Sequence, residues 1–181
     1  LEQGEVVEEW STLVQPGIRI PPSIARFTGI DDAMVADAPP FAAVAEEVRR
    51  RLAGRLFVAH NARFDYGFLR AEFRRLELRF SAPVLCTVKL SRALYPEHAR
   101  HNLDTLMERF ALSCAARHRA LGDAQVLPEL IAAMERQRGT AAMHEAVTAA
   151  QREPRLPPYL PPELADELPE SPGVYLLRGE A

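Results

Sequence analysis

Two short stretches of this chain carry residue types suited to metal and acid–base chemistry. They are Ala59-His60-Asn61-Ala62-Arg63-Phe64-Asp65 and Arg117-His118-Arg119-Ala120-Leu121-Gly122-Asp123. Each delivers one carboxylate to the start of an expected helix, and the second adds a histidine ahead of its aspartate. Hydrolysis of a phosphodiester needs a nucleophile made from water and a shield for charge on the leaving oxygen. Two divalent ions about 3.5–4 Å apart supply both, and carboxylate oxygens are the proper ligands for Mg²⁺ or Mn²⁺. Asp65 and Asp123 are therefore candidate metal ligands. An imidazole, which titrates in the neutral range, suits a general base, and His118 is the candidate. A gap of this length does not put His118 and Asp123 on one helical face. With His118 on the loop entering the helix, both side chains can face one cleft. Spacing alone is weak support, because aspartate at a helix start also complements the helix dipole. His98 with His101 and Cys114 with His118 lack a partnering second pair, so no zinc site is expected.

The elements that must position these residues can be read from periodicity. Glu5 to Val14 alternates in β-fashion, with Gln3-Gly4 as a hairpin turn before it, so the chain begins inside a hairpin. Residues 15–40 read as a loop with short helical pieces. Phe41, Val44, Ala45, Val48 and Leu52 recur at helical spacing, with Gly54 as the stop. Leu56 to Ala59 is an apolar run suited to a buried strand. Asn61 is placed to cap the next helix, with Phe64, Phe68, Leu69 and Leu76 as its apolar stripe. Val84 to Thr87 reads as another strand leading into a helix that ends near Leu94. Asn102 caps a helix through Phe110, and the last long helix runs from about Arg119 to Arg138. Short buried strands alternating with helices after an antiparallel start predict an α/β fold with a sheet of mixed direction. After Gly139 a short helix is expected over 141–151, followed by a proline-dense stretch that reads as a stiff linker.

Composition fits a globular protein of 181 residues, 48% hydrophobic and 26% charged. No apolar run approaches the roughly 18–20 residues of a membrane span, and no secretory signal is read at the start. Two cysteines without CxxC spacing point to a reduced, cytoplasmic (bacterial) setting. The net charge of −3 is unevenly spread: residues 41–119 hold 15 Lys/Arg against 8 Asp/Glu. A basic middle between acidic flanks suits a phosphate-facing surface. The alternative is that Arg49, Arg50, Arg51, Arg74 and Arg75 merely solvate helix backs.

The ordered series Phe27-Thr28-Gly29-Ile30, Ala38-Pro39, Ala59 to Asp65, Cys86-Thr87, His101-Asn102-Leu103 and His118 to Asp123 resembles the DnaQ-like 3′–5′ exonucleases. This is the DEDDh family, which includes the proofreading epsilon subunit of bacterial DNA polymerase III. The resemblance covers roughly residues 1–138 and implies an RNase H-like fold, a mixed sheet flanked by helices. It also implies two-metal hydrolysis, with two Mg²⁺ or Mn²⁺ ions per complete site, that removes nucleotides from a 3′ end. By position, Asp65 and Asp123 match two of the family's four acidic ligands, and His118 matches its general base. Phe27 and Thr28 fall in the loop that lies against the terminal nucleotides. Asn61 and Phe64 belong to the motif beside the second acid. Core packing is the alternative for Phe27 and Phe64.

The family's first motif, a D-x-E on the opening strand, has no counterpart here. Glu2, Glu5, Glu8 and Glu9 sit on or beyond the second hairpin arm. We read the chain as a fragment with that strand upstream, a degenerate family member being the alternative. Weak metal binding and little exonuclease activity are expected of these 181 residues by themselves. At the other end, Leu168 to Leu177 resembles the opening of a GIY-YIG nuclease domain, as in UvrC and its relatives. The expected organisation is an exonuclease domain at 1–139, a helix and Pro-rich linker at 140–168, and the start of a GIY-YIG domain at 169–181. The expected partners are single-stranded DNA 3′ ends and DNA polymerase or repair proteins, with a role in repair or replication proofreading. An inactive exonuclease-fold DNA-binding or docking module, and an exonuclease directed at RNA, remain alternatives.

Overall fold

The structure is a computed structural model that describes residues 1–2, 4–114 and 118–151. The proline-dense stretch and the segment resembling a GIY-YIG domain lie outside the described residues. In chain order the elements are α1 (Pro22–Thr28), α2 (Asp32–Val35), α3 (Phe41–Leu52), β1 (Phe57–Ala59) and α4 (Ala62–Arg75). They continue with β2 (Val84–Cys86), α5 (Thr87–Leu94), α6 (Leu103–Phe110), α7 (Ala120–Arg138) and α8 (Thr140–Gln151).

The sheet among these residues is a parallel pair in which Phe57, Val58 and Ala59 stand opposite Val84, Leu85 and Cys86. Parallel neighbours need a crossover, and α4 supplies it. Residues 5–14 form no ladder despite their alternation. Glu2 and Glu5 exchange two hydrogen bonds of 3.0 Å around a turn where Gly4 takes φ 88°, and Gln15 bridges Pro40 in parallel. A strand is defined by its neighbour, and among the described residues none pairs along this segment. The expected hairpin thus survives as its turn alone.

The core lies on the far side of β2. Leu85, Leu90, Leu94, Tyr95, Leu106, Val126, Leu130, Met134, Met143 and Ala146 form one cluster drawn from β2 and α5–α8. Helix α8 packs against α5, α7 and β2, so its Met143, Ala146 and Ala150 share this core. Two buried polar contacts stitch the helices. Ser91 Oγ lies 2.8 Å from His101 Nδ1, and His101 Nε2 lies 2.8 Å from the His98 carbonyl. The carbonyl can only accept, so Nε2 carries the hydrogen and Nδ1 accepts from the serine hydroxyl. Asn102 caps α6 as expected, accepting from Thr105 N–H at 2.9 Å.

A second, aromatic cluster fastens α4 to the loop before β2. Phe73 is fully buried between Phe41 (5.2 Å, edge-on) and Phe80 (4.6 Å, stacked), and the Tyr66 hydroxyl accepts from Ala82 N–H at 3.0 Å. The inward stripe of α4 is therefore Ala62, Tyr66, Leu69 and Phe73. The expected stripe through Phe64 and Phe68 is corrected: these rings are 62% and 58% exposed. Apolar residues ring most of this helix, so periodicity could not tell the inner stripe from the outer one. Among the described residues no helix is long and apolar enough to cross a membrane.

Candidate active site

The first aspartate is positioned by β1. Fully buried Thr87 opens α5, and its hydroxyl donates to the Ala59 carbonyl at 3.4 Å and lies 2.9 Å from His60 Nδ1. This latch holds the end of β1 where the chain turns into α4. Asn61 makes that turn with a left-handed backbone (φ 66°, ψ 46°) and no side-chain cap bond. The expected capping role is thus corrected. Asparagine is among the few side chains that tolerate this region, so its contribution is conformational. Asp65 follows in the first turn of α4.

The second aspartate comes from α7. His118 lies on the entering loop, as the spacing required, with φ 65°. Its backbone N–H donates to Asp123 Oδ1 at 3.3 Å, and its ring stands 4.3 Å from that of Phe27. One residue on, Arg119 Nη2 donates to the Gly29 carbonyl at 2.8 Å.

The charge of Asp123 reaches the carboxyl of Asp65. Partial burial of the Asp65 carboxyl group raises its pKa above the ordinary value, its own backbone opposes this, and the charge of Asp123 raises it further. The residue as a whole is still exposed to solvent. Neighbouring carboxylates favour either a retained proton or a bound cation. As hard oxygen donors they fit two positions of a divalent-metal site. Among the described residues, no group of three or more His, Cys, Asp or Glu could hold a metal.

The other expected site residues are placed unevenly. Phe27 is 61% exposed beside His118 and is not core. Thr28 follows it as the last residue of α1 rather than in the expected loop, and its hydroxyl is committed locally, donating to Ile24 O at 2.9 Å and accepting from Ile30 N–H at 3.2 Å. Asn61 and Phe64 line a shallow groove of about 470 Å³ with Arg63, Gly67, Phe68 and Ala71. Phe64 and Phe68 meet edge-to-face at 4.8 Å. Several arginines of the basic middle are held in ion pairs. Arg49 pairs with Glu46, Arg50 and Arg51 with Glu47, Arg51 also with Glu8, and Arg75 with Glu72. Its arginines hold the Glu47 carboxyl down to about 2. These four arginines lie against acidic neighbours on the surface, the helix-back alternative, while the segment keeps its excess of Lys/Arg.

Sequence reasoning missed Arg119, whose partner is far away in the chain, and it put Phe68 on the wrong face.

The α/β frame thus sets Asp65 in the first turn of α4 and His118 and Asp123 at the start of α7. The family model described as an exonuclease, RNase T type, matches residues 1–131, and the chain belongs to this family. Its members generally use divalent metal ions. The chain is 39% identical over 188 residues, 97% of its length, to a "putative bifunctional exonuclease/endonuclease protein" of Mycobacterium tuberculosis. It is 40% identical over 127 residues, 70% of its length, to the 3′-5′ exonuclease DinG of Bacillus subtilis. With the PolC-type DNA polymerase III of Caldanaerobacter subterraneus it shares 37% over 134 residues, 74% of its length. The chain spans 28%, 14% and 10% of these three relatives respectively. Among solved structures, exonuclease X in complex with 5′ overhanging duplex DNA matches with a TM-score of 0.63 and 28% identity. That match covers 83% of this chain and 85% of the other. The RNase H-like exonuclease fold expected from sequence is therefore the fold observed.

Proposed function

We propose that this chain is the exonuclease domain of a bacterial DNA-processing protein, removing nucleotides from single-stranded 3′ ends in repair or replication. The observation that carries the reading is the placement of His118, whose backbone N–H donates to Asp123 Oδ1 while its ring stands against Phe27, with the charge of Asp123 reaching the Asp65 carboxyl. Asp65 and Asp123 would hold divalent cations, Mg²⁺ or Mn²⁺, two to a complete site. Cations bound there would activate the attacking water and shield charge on the leaving oxygen. His118 would accept the proton from that water. Phe27 and Thr28 would flank the terminal nucleotide, and the groove at Asn61 and Phe64 would receive bases by stacking. The M. tuberculosis relative matches along 97% of the chain, well past the family match. This supports reading the C-terminal segment as a linker into a GIY-YIG endonuclease domain, with the exonuclease in the N-terminal part. The bacterial cytoplasm is the natural setting for such a protein.

The test is digestion of a 5′-labelled single strand by the protein as its gene encodes it. Asp123→Asn should abolish Mg²⁺-dependent shortening from the 3′ end, and activity that persists refutes the site. A second reading is an inactive docking module. It requires a wild-type protein that binds single strands and never shortens them.

A further inference from the structure

Arg119 stands next to the candidate base and reaches a residue ninety positions earlier, donating through Nη2 to the Gly29 carbonyl at 2.8 Å. Gly29 ends α1 with φ 67°, and a Cβ built there would lie 3.6 Å from the same Nη2, so the guanidinium lies along its bare Cα. Two residues before Gly29, Phe27 presents its ring to His118 at 4.3 Å. Residues 27 and 29 thus meet residues 118 and 119 in register.

These contacts matter because little else locates the end of α1. None of the α1 side chains is buried. Among the described residues the other hydrogen bonds of this segment stay within it: Gly29 N–H to Ala25, Thr28 to Ile24 and Ile30 to Thr28. His118, for its part, holds a left-handed backbone that a residue with a side chain adopts only under local constraint. We infer that Arg119 is a positioning residue, tying the C-terminal end of α1, with Phe27, to the turn of His118. Seating a terminal nucleoside on Phe27 and orienting the His118 imidazole then become one ordering event. The inference rests on the exonuclease reading for its substrate, while the tether itself does not depend on it.

The experiment compares Arg119→Met, which keeps the stem and removes the donors, with Arg119→Lys, which restores the single donor that the bond uses. The first readout is the His118 ring resonances by NMR, displaced in the wild type by the ring current of Phe27. The second is the affinity for an oligothymidylate of roughly eight nucleotides in EDTA, by fluorescence anisotropy. Arg119→Met should release the His118 resonances and weaken binding about tenfold, and Arg119→Lys should recover most of both. Phe27→Ala, at an exposed position, should release the same resonances, and combining it with Arg119→Met should weaken binding no further. Resonances that stay put in Arg119→Met overturn the tether, as does an affinity loss that Arg119→Lys fails to restore. Resonances that follow Arg119 in a protein that binds no oligonucleotide support the tether and overturn the exonuclease reading.

Discussion

The α5–α8 body and the cleft side of the molecule treat apolar side chains in opposite ways. Behind β2, Leu90, Leu106, Leu130 and Met134 are wholly buried in one cluster. On the cleft side Phe27, Phe64 and Phe68 are more than half exposed, and α1 buries nothing. The body is held by packing, which is non-directional and cumulative. The cleft is held by single contacts: Thr87 to Ala59 and His60, His118 N–H to Asp123, and Arg119 to Gly29. A frame of the first kind lets a site of the second kind remain open enough to admit a nucleic-acid end.

Substitutions graded by effect would break or sharpen this contrast. The largest loss is expected from Leu130→Ala, which opens a cavity where α7 meets the core and should cost about 3 kcal/mol in urea unfolding. A near-neutral result would mean that the body is not the stabilising half. Ser91→Ala should cost about 2 kcal/mol in the same measurement, because it leaves the buried Nδ1 of His101 without its donor. Asp123→Asn acts more quietly, through Asp65. The raised Asp65 pKa means that the folded state holds this proton more tightly than the unfolded chain does. Stability therefore falls as pH rises from the ordinary aspartate value through the raised one. Removing the Asp123 charge should lower the Asp65 pKa and shrink that loss, as an NMR titration of the Asp65 carboxyl would show. An unmoved pKa would mean that the acids do not share a cleft. The smallest effect is expected from Phe64→Ala with Phe68→Ala, within about 0.5 kcal/mol of wild type. A loss of several kcal/mol there would place both rings in a core and erase the difference between the two sides.

Much of the frame was legible because local rules and tertiary packing agree. Apolar spacing at Phe41–Leu52, the Asn102 cap and the run at Val84 all became the expected elements. The expectations that failed share a cause. For Asn61 the residue type was informative and the mechanism was not, since asparagine both caps helices and accepts a left-handed backbone. For Glu5–Val14, alternation signalled a strand, yet strand pairing is settled by a neighbour. For Phe64 and Phe68, α4 carries apolar residues on two faces. For the arginines of α3, composition counted Glu46 and Glu47 but could not say which cation each one pairs with.

The sequence by itself determined the chemistry on offer: two aspartates, a histidine ahead of one of them, and an order of motifs that fixes the family. It also showed that His118 and Asp123 could share a face only with His118 on the loop before the helix. Only the tertiary structure decided that the charge of Asp123 reaches Asp65, that Phe27 lies on His118, and that Arg119 binds a glycine ninety residues away. Periodicity is a property of neighbours in the chain, whereas a site is made by segments that meet only after the core has closed.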